Sequence, residues 1–258
     1  MGSKPTPPEK ETVRLAAVAD LHCTKDGLAA LQPLFAAAAR AADILILCGD
    51  LTDNGVPEEA HALVKALGAR AEVPVVALLG NHDYQSGKEE EIRQILTDTG
   101  ICVLQGTACE IYGVGFAGAK GFGGGFGDRA LQPWGEESLK RFVREAVDES
   151  LKLESALAKL RTSVRFALLH YAPIRTTVEG EPLEIYAFLG SSRLEEPLTH
   201  YAVAGVFHGH AHRGTLEGRT RGDVPVYNVS LPLLRRSFPN DPPFRLVTVK
   251  VPGEVDRA

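Results

Sequence analysis

With 258 residues, 44% of them hydrophobic, the chain can bury the core of one sizeable domain. A net charge of −5 argues against a dedicated nucleic-acid binder, whose phosphate contacts leave a basic footprint, although acidic residues around a metal ion still accept a phosphoester. Cys23, Cys48, Cys102 and Cys109 show neither paired zinc spacing nor disulfide density, and no run approaches the roughly 18 apolar residues of a spanning helix, so a soluble cytoplasmic protein without a membrane partner is expected.

Met1-Gly2 with Thr6 fits a short lipidation pattern, but Lys4-Pro5 and the prolines to Pro8 read as a disordered leader over residues 1–11, ahead of one domain over 12–258. Val13–Ala19 reads as a buried strand and residues 27–41 as an Ala-rich helix. Ile44–Cys48 is a second strand, and Pro57–Arg70 a helix with proline near its first turn. Val73–Leu79 is a third strand and Lys88–Asp98 the next helix, so the first half runs βαβαβα, the pattern of a mainly parallel sheet flanked by helices. Short strands follow at Ile101–Leu104 and Cys109–Val114, then a Gly-rich loop over Gly113–Gly127 and a long polar helix over Glu136–Lys159. Strands return at Val164–Leu169, Val203–Phe207, Thr215–Glu217, Val224–Val229 and Phe244–Val251, which a second sheet packed on the first would accommodate.

Polar motifs sit at the ends of these apolar runs: Asp20-Leu21-His22, Gly49-Asp50-Leu51-Thr52-Asp53, Gly80-Asn81-His82-Asp83, His170, and Gly209-His210-Ala211-His212. In a strand, residues two apart share a face, so Asp20 and His22, or His210 and His212, can address one ion. Gly49 and Gly80 suit tight strand-to-loop turns. Singly such pairs are common; five in series at one sheet edge point to a metal site.

In order and spacing these blocks resemble the calcineurin-like metallophosphoesterase superfamily, whose pattern is Asp-x-His, Gly-Asp-x-x-Asp, Gly-Asn-His-Asp/Glu, His and Gly-His-x-His. The resemblance spans Asp20 to His212. It implies an α/β fold, a four-layer αββα sandwich with two mixed sheets face to face and helices outside. It also implies two divalent ions: Asp20, His22 and His212 on one, Asp50 bridging, and Asn81, His170 and His210 completing the other. His82 would stay unligated beside the substrate. Two ions roughly 3.5–4 Å apart can acidify a shared water and hold phosphoryl oxygens for in-line displacement, and a bridging carboxylate lowers their repulsion. The hydroxide between the ions is the expected nucleophile. Carboxylate, imidazole and amide ligands without thiolate suit manganese, iron, zinc or nickel; the resemblance favours manganese or an iron-containing pair.

His82 is the candidate for protonating the leaving alkoxide, since imidazole titrates near neutrality. Asp53 is expected to orient its ring and Asp83 to stand behind it, with a turn role for Asp83 as the alternative. At Phe207-His208-Gly209-His210 the superfamily pattern selects His210 over His208, which becomes a neighbour. His61 and His200 read as surface residues. The literal G-x-G-x-x-G at Gly113, Gly115 and Gly118 opens no helix, so a dinucleotide site is excluded. A mobile loop edging the site is expected instead, with Phe122, Phe126 and Trp134 either stacking on a base or packing inward. Arg175, five residues beyond His170, is the candidate for neutralising a substrate phosphate, with Arg193 second; either can simply pair with a glutamate.

The run from Gly49 to Gly55, followed by Pro57-Glu58-Glu59, further resembles the class III cyclic nucleotide phosphodiesterases. The expected activity is therefore dinuclear metal-dependent hydrolysis of a small phosphodiester such as a cyclic nucleotide. The alternatives are a phosphomonoesterase, protein phosphatases included, and a non-catalytic scaffold of the same fold.

Overall fold

A computed structural model of the chain describes residues 10–68 and 73–252. The leader expected over 1–11 lies outside the described residues up to residue 9; Lys10 and Glu11 are anchored, Lys10 to Asp43 at 2.7 Å and the Glu11 carbonyl to the Val251 N–H. The described strands are β1 Thr12–Val18, β2 Ile44–Cys48, β3 Val75–Leu78, β4 Cys102–Leu104, β5 Thr107–Ile111, β6 Val114–Gly118, β7 Val164–Leu168, β8 Gly205–His208, β9 Glu217–Arg219, β10 Pro225–Asn228 and β11 Arg245–Lys250. The main helices are α1 Leu28–Ala41, α2 Pro57–Leu67, α3 Glu89–Asp98 and α4 Glu137–Leu157, with shorter α5 Tyr186–Leu189, α6 Glu196–His200 and α7 Leu231–Ser237.

Five strands form one sheet in the order β11-β1-β2-β3-β4 and six the other, β5-β6-β7-β8-β10-β9. In the first, β1 to β4 run parallel and β11 antiparallel at the edge. In the second, β6, β7, β8 and β10 are parallel, with β5 and β9 antiparallel at its two edges. β2 and β3 are buried at every position, as expected of parallel strands covered on both faces. The expected pair of mixed sheets flanked by helices is what the chain forms.

Side-chain alternation in the second sheet builds the interior. Phe116, Phe166, Phe207 and Tyr227, from four adjacent strands, stack in a row with ring centroids 6.4, 5.3 and 5.4 Å apart and pack on the first sheet. Each buried ring contributes about 1.5–3 kcal/mol of transfer free energy. On the opposite face Ala117, Ala167, Val206 and Val226 join Leu153, Ala156 and Leu157 of α4 in a second apolar cluster, and α4 lies along β5 and β6.

The Gly-rich segment departs from expectation. It holds a central strand, β6, preceded by a hairpin whose two turn residues, Tyr112 and Gly113, both have positive φ (51° and 76°). Two such residues fit the right-handed twist of paired strands, so the strand read as continuous to Val114 instead folds back. Its remainder is fastened rather than free: Gly124 N–H donates to the Ala187 carbonyl at 2.7 Å and Gly125 N–H to that of Gly190 at 2.9 Å.

Candidate metal centre

Parallel strands of both sheets end at one edge, and every metal-site candidate follows such an end: Asp20 and His22 after β1, Asp50 and Asp53 after β2, Asn81 and His82 after β3, His170 after β7, His210 and His212 after β8. None of them lies within a strand. Asp20 (φ 57°), His22 (43°), Asp50 (48°) and His210 (69°) adopt left-handed backbone instead, a costly conformation outside glycine. Convergence within each motif thus comes from a sharp loop reversal, correcting the expectation that strand alternation aims the pairs. Close approach sets the glycines: a Cβ at Gly49 would overlap the His170 ring, and one at Gly80 the Asp50 backbone and carboxylate.

Among the described residues, three groups of potential ligands have their donor atoms within 4.8 Å of one another: Asp20, His22 and His212; His22, Asp50 and His82; and Asp50, His170 and His210. Asp50 joins two of them. Its Oδ1 lies 3.3 Å from His170 Nε2 and its Oδ2 3.8 Å from His22 Nε2. Asp20 Oδ1 is 3.2 Å from His212 Nε2, and both Asp20 oxygens accept from the His210 N–H. Asn81 Oδ1 is 2.9 Å from His170 Nε2.

The donor set fits cations on two observations. His22 Nε2 is buried without a hydrogen-bond partner. His170 Nδ1 donates to the Cys48 carbonyl at 3.0 Å, so its Nε2, facing two oxygen acceptors, satisfies them only through a second proton or a cation. Burial depresses the His170 pKa, but the Asp50 charge outweighs it and raises the ring to about 9. Burial and the His170 charge push His210 down to about 4; its Nε2 donates to the Phe188 carbonyl at 3.1 Å, which leaves the Nδ1 lone pair free. Burial raises the Asp20 and Asp50 carboxyls, yet hydrogen bonding from His212 and the His170 charge respectively hold both below the ordinary range. Burial also raises the nearby thiols, Cys23 to about 11 and Cys48 higher, so the donors are hard oxygen and imidazole.

His82 Nδ1 bonds the Asp53 backbone carbonyl at 2.7 Å, while the Asp53 carboxylate lies 3.2 Å from His22 Nδ1. The expectation that the Asp53 side chain orients His82 is thereby corrected: a carbonyl oxygen, fixed by the fold, does so. Asp83 exceeds a turn role. Its buried carboxylate accepts from the Leu51, Thr52 and Gly80 N–H groups and from Thr52 Oγ1 at 2.6–3.1 Å, tying the loops after β2 and β3 together. Burial raises it to about 6. His208 is buried between the Gly209 carbonyl and Thr177 Oγ1, both at 2.8 Å, and burial lowers it to about 4. His61 is exposed, and His200 meets Glu154 at the surface.

Arg175 lies in an open groove of about 460 Å³ with Arg129, Arg219 and Arg221, its guanidinium 5.8 Å from the Tyr186 ring centre. Arg193 binds the Leu131 carbonyl at 2.9 Å and so holds the Gly-rich segment in place. Phe122 packs inward on Phe142 and Tyr171, with ring centres at 4.8 and 5.7 Å, Phe126 joins a small apolar cluster, and Trp134 is 71% exposed. Sequence reasoning missed Glu59, whose buried carboxylate accepts from Asp53 N, Asn54 N and Asn54 Nδ2 at 2.8–3.1 Å. It also missed Asn228, which bonds the Ala211 carbonyl between two ligand candidates. For Glu59 a signal existed, a carboxylate in the first turn of α2 just after the Gly-Asp motif.

The profile of the calcineurin-like phosphoesterases matches residues 13–214. The chain belongs to that family. It is 26% identical over 230 residues to a probable cyclic nucleotide phosphodiesterase of Synechococcus sp., covering 81% of this chain and 76% of that protein. It is also 26% identical over 184 residues to a probable glycerophosphodiester phosphodiesterase GpdQ of Arcobacter nitrofigilis, covering 66% and 57%. Among solved structures, the phosphopantetheinyl hydrolase PptH of Mycobacterium tuberculosis superposes with a TM-score of 0.67 at 16% identity, over 90% of this chain and 95% of that one. Family membership makes the protein a metal-dependent phosphoesterase. No helix among the described residues is long and apolar enough to cross a membrane.

Proposed function

We propose that this phosphoesterase is a dinuclear enzyme that hydrolyses a small phosphodiester. The observation that carries the proposal is Asp50, whose two oxygens address two different histidine groups, the arrangement of a carboxylate shared by two cations. Asp20, His22 and His212 would hold one ion and Asn81, His170 and His210 the other, with manganese or iron favoured and zinc or nickel compatible with the donors. Bound ions supply an acidified water and neutralise the phosphoryl oxygens. The protein's own groups do the rest. His82 keeps its Nδ1 proton on the Asp53 carbonyl, and as the doubly protonated imidazolium it would give the Nε2 proton to the departing alkoxide, ending as the neutral Nδ1–H ring. Asp53 holds His22 from behind, and Asp83 keeps the two loops in register.

A diester in place of a monoester is supported by the phosphodiesterase names of both sequence relatives. Four free thiols support a reducing compartment such as the cytoplasm. Elemental analysis of protein saturated with manganese and rapidly freed of unbound ion is expected to give two metal equivalents. With manganese added, bis-p-nitrophenyl phosphate is expected to turn over faster than p-nitrophenyl phosphate. A strong preference for the monoester overturns the diester reading; a single metal equivalent overturns the dinuclear one.

A further inference from the structure

Because β6 runs parallel to β7, its C-terminal end lies at the same sheet edge as the metal centre, and the chain leaves it at Ala119 and Lys120. The Lys120 carbonyl accepts from the N–H groups of both His170, at 3.0 Å, and Tyr171, at 3.1 Å, so the residue is fixed against a ligand-bearing segment. Its ammonium lies among three aromatic rings, 4.9 Å from the centre of Phe122, 5.3 Å from Tyr171 and 5.5 Å from Tyr84. Two of those rings belong to the centre's own loops. Tyr84 stands two residues beyond His82, and the Tyr171 ring centre is 4.5 Å from that of His210.

The ammonium has three donors and one protein acceptor, the Gly121 carbonyl at 2.9 Å. Among the described residues no carboxylate lies within ion-pair distance. Glu149, the carboxylate that acts on it most strongly, is engaged elsewhere: one oxygen takes Lys152 Nζ at 2.6 Å and the other the Gly121 N–H at 2.8 Å. Ring faces offset part of the charge but accept no strong hydrogen bond. Lys120 as a residue is only partly buried.

We propose that Lys120 forms an anion subsite beside the metal centre, one that takes a phosphate or carboxylate carried on an ester arm of the substrate. The Tyr171 ring contacts both the ammonium and the His210 ring, which sets the subsite beside the centre and within reach of an ester arm rather than among the ligands. This rests on the phosphodiesterase reading and narrows it to diesters with a second negative charge.

The test compares two esters on the manganese-loaded full chain, thymidine 5′-(p-nitrophenyl phosphate) and the same ester bearing a 3′-phosphate, with p-nitrophenolate release reporting only the diester bond. Wild type is expected to favour the 3′-phosphorylated ester by about tenfold or more in kcat/KM, chiefly through KM. Lys120→Met is expected to abolish that preference, and Lys120→Arg to keep most of it, with metal content and Tm of both variants as in wild type. An equal preference in Lys120→Met and wild type, or no preference in wild type, overturns the subsite. The latter outcome needs no variant to fold. Turnover of neither ester overturns the phosphodiesterase reading and the subsite with it.

Discussion

The donors on the two sides of Asp50, His170 on one and His22 with its neighbour His212 on the other, differ in how deeply they sit. His170 is fully buried and Asp50 nearly so, whereas the side chains of His22 and His212 are 23% and 39% exposed. The inner ring is oriented by the Cys48 carbonyl, and the glycine beside it leaves no spare room. A site whose donors are locked by packing and outer hydrogen bonds holds its ion tightly; one open to solvent exchanges it. The difference teaches that one fold edge can offer a packed and an open set of nearly the same donors, so that the proposed dinuclear centre would have one retained and one exchangeable position.

Removing the shared group is the most severe way to break this comparison. Asp50→Asn is expected to lower kcat/KM by on the order of 10⁴-fold and to cost both ions part of their binding, read by elemental analysis after dialysis. A variant that keeps two tight metal equivalents would show that Asp50 bridges nothing. Next in size, His82→Gln should cost about 10²–10³-fold on an alkyl ester and much less on a p-nitrophenyl ester, whose leaving group needs no proton, with metal content unchanged. Equal losses on both esters would remove His82 as the proton donor.

His212→Ala sharpens the contrast itself. Its activity is expected to fall about 10–100-fold and to recover with excess manganese, because the outer position exchanges. His170→Ala should show no such recovery, and recovery in both would erase the distinction between the sites.

The smallest effect belongs to the far end of β2. There the Asp43 carboxyl is held well below its ordinary range, chiefly by hydrogen bonds from the Arg14 guanidinium, opposed by burial and aided by Lys10. A depressed carboxyl stabilises the fold above its unfolded pKa of about 3.9 and loses that contribution as pH falls. Asp43→Asn should therefore cost about 1 kcal/mol at pH 7, with the gap between wild type and variant beginning to narrow at about pH 4 and shrinking progressively toward the depressed folded value in urea titrations, and leave kcat/KM alone. A stability gap as large at pH 2 as at pH 7 would place the effect in packing.

Much of the centre was legible because each apolar run ends in its polar motif within two or three residues, so strand placement carries the ligands with it. Asp20 and His210 are far apart in the chain yet predictable as neighbours once both follow parallel strands of facing sheets. The Tyr112-Gly113 turn was not legible, since tyrosine at positive φ carries no local signature and only pairing of β5 with β6 stabilises it.

From its residues alone the chain determined the α/β character and the second sheet, because these follow from the period of the hydrophobic runs, while the grouping of the polar motifs into metal ligands came from their resemblance to the superfamily pattern. Tertiary structure alone decided that the Asp53 carbonyl holds His82, that Asn228 braces the loop after β8, and that Lys120 comes to rest beside His170. Those contacts join segments distant in sequence through backbone atoms every residue possesses, so they arise only when the sheets pack and bring the strand ends together.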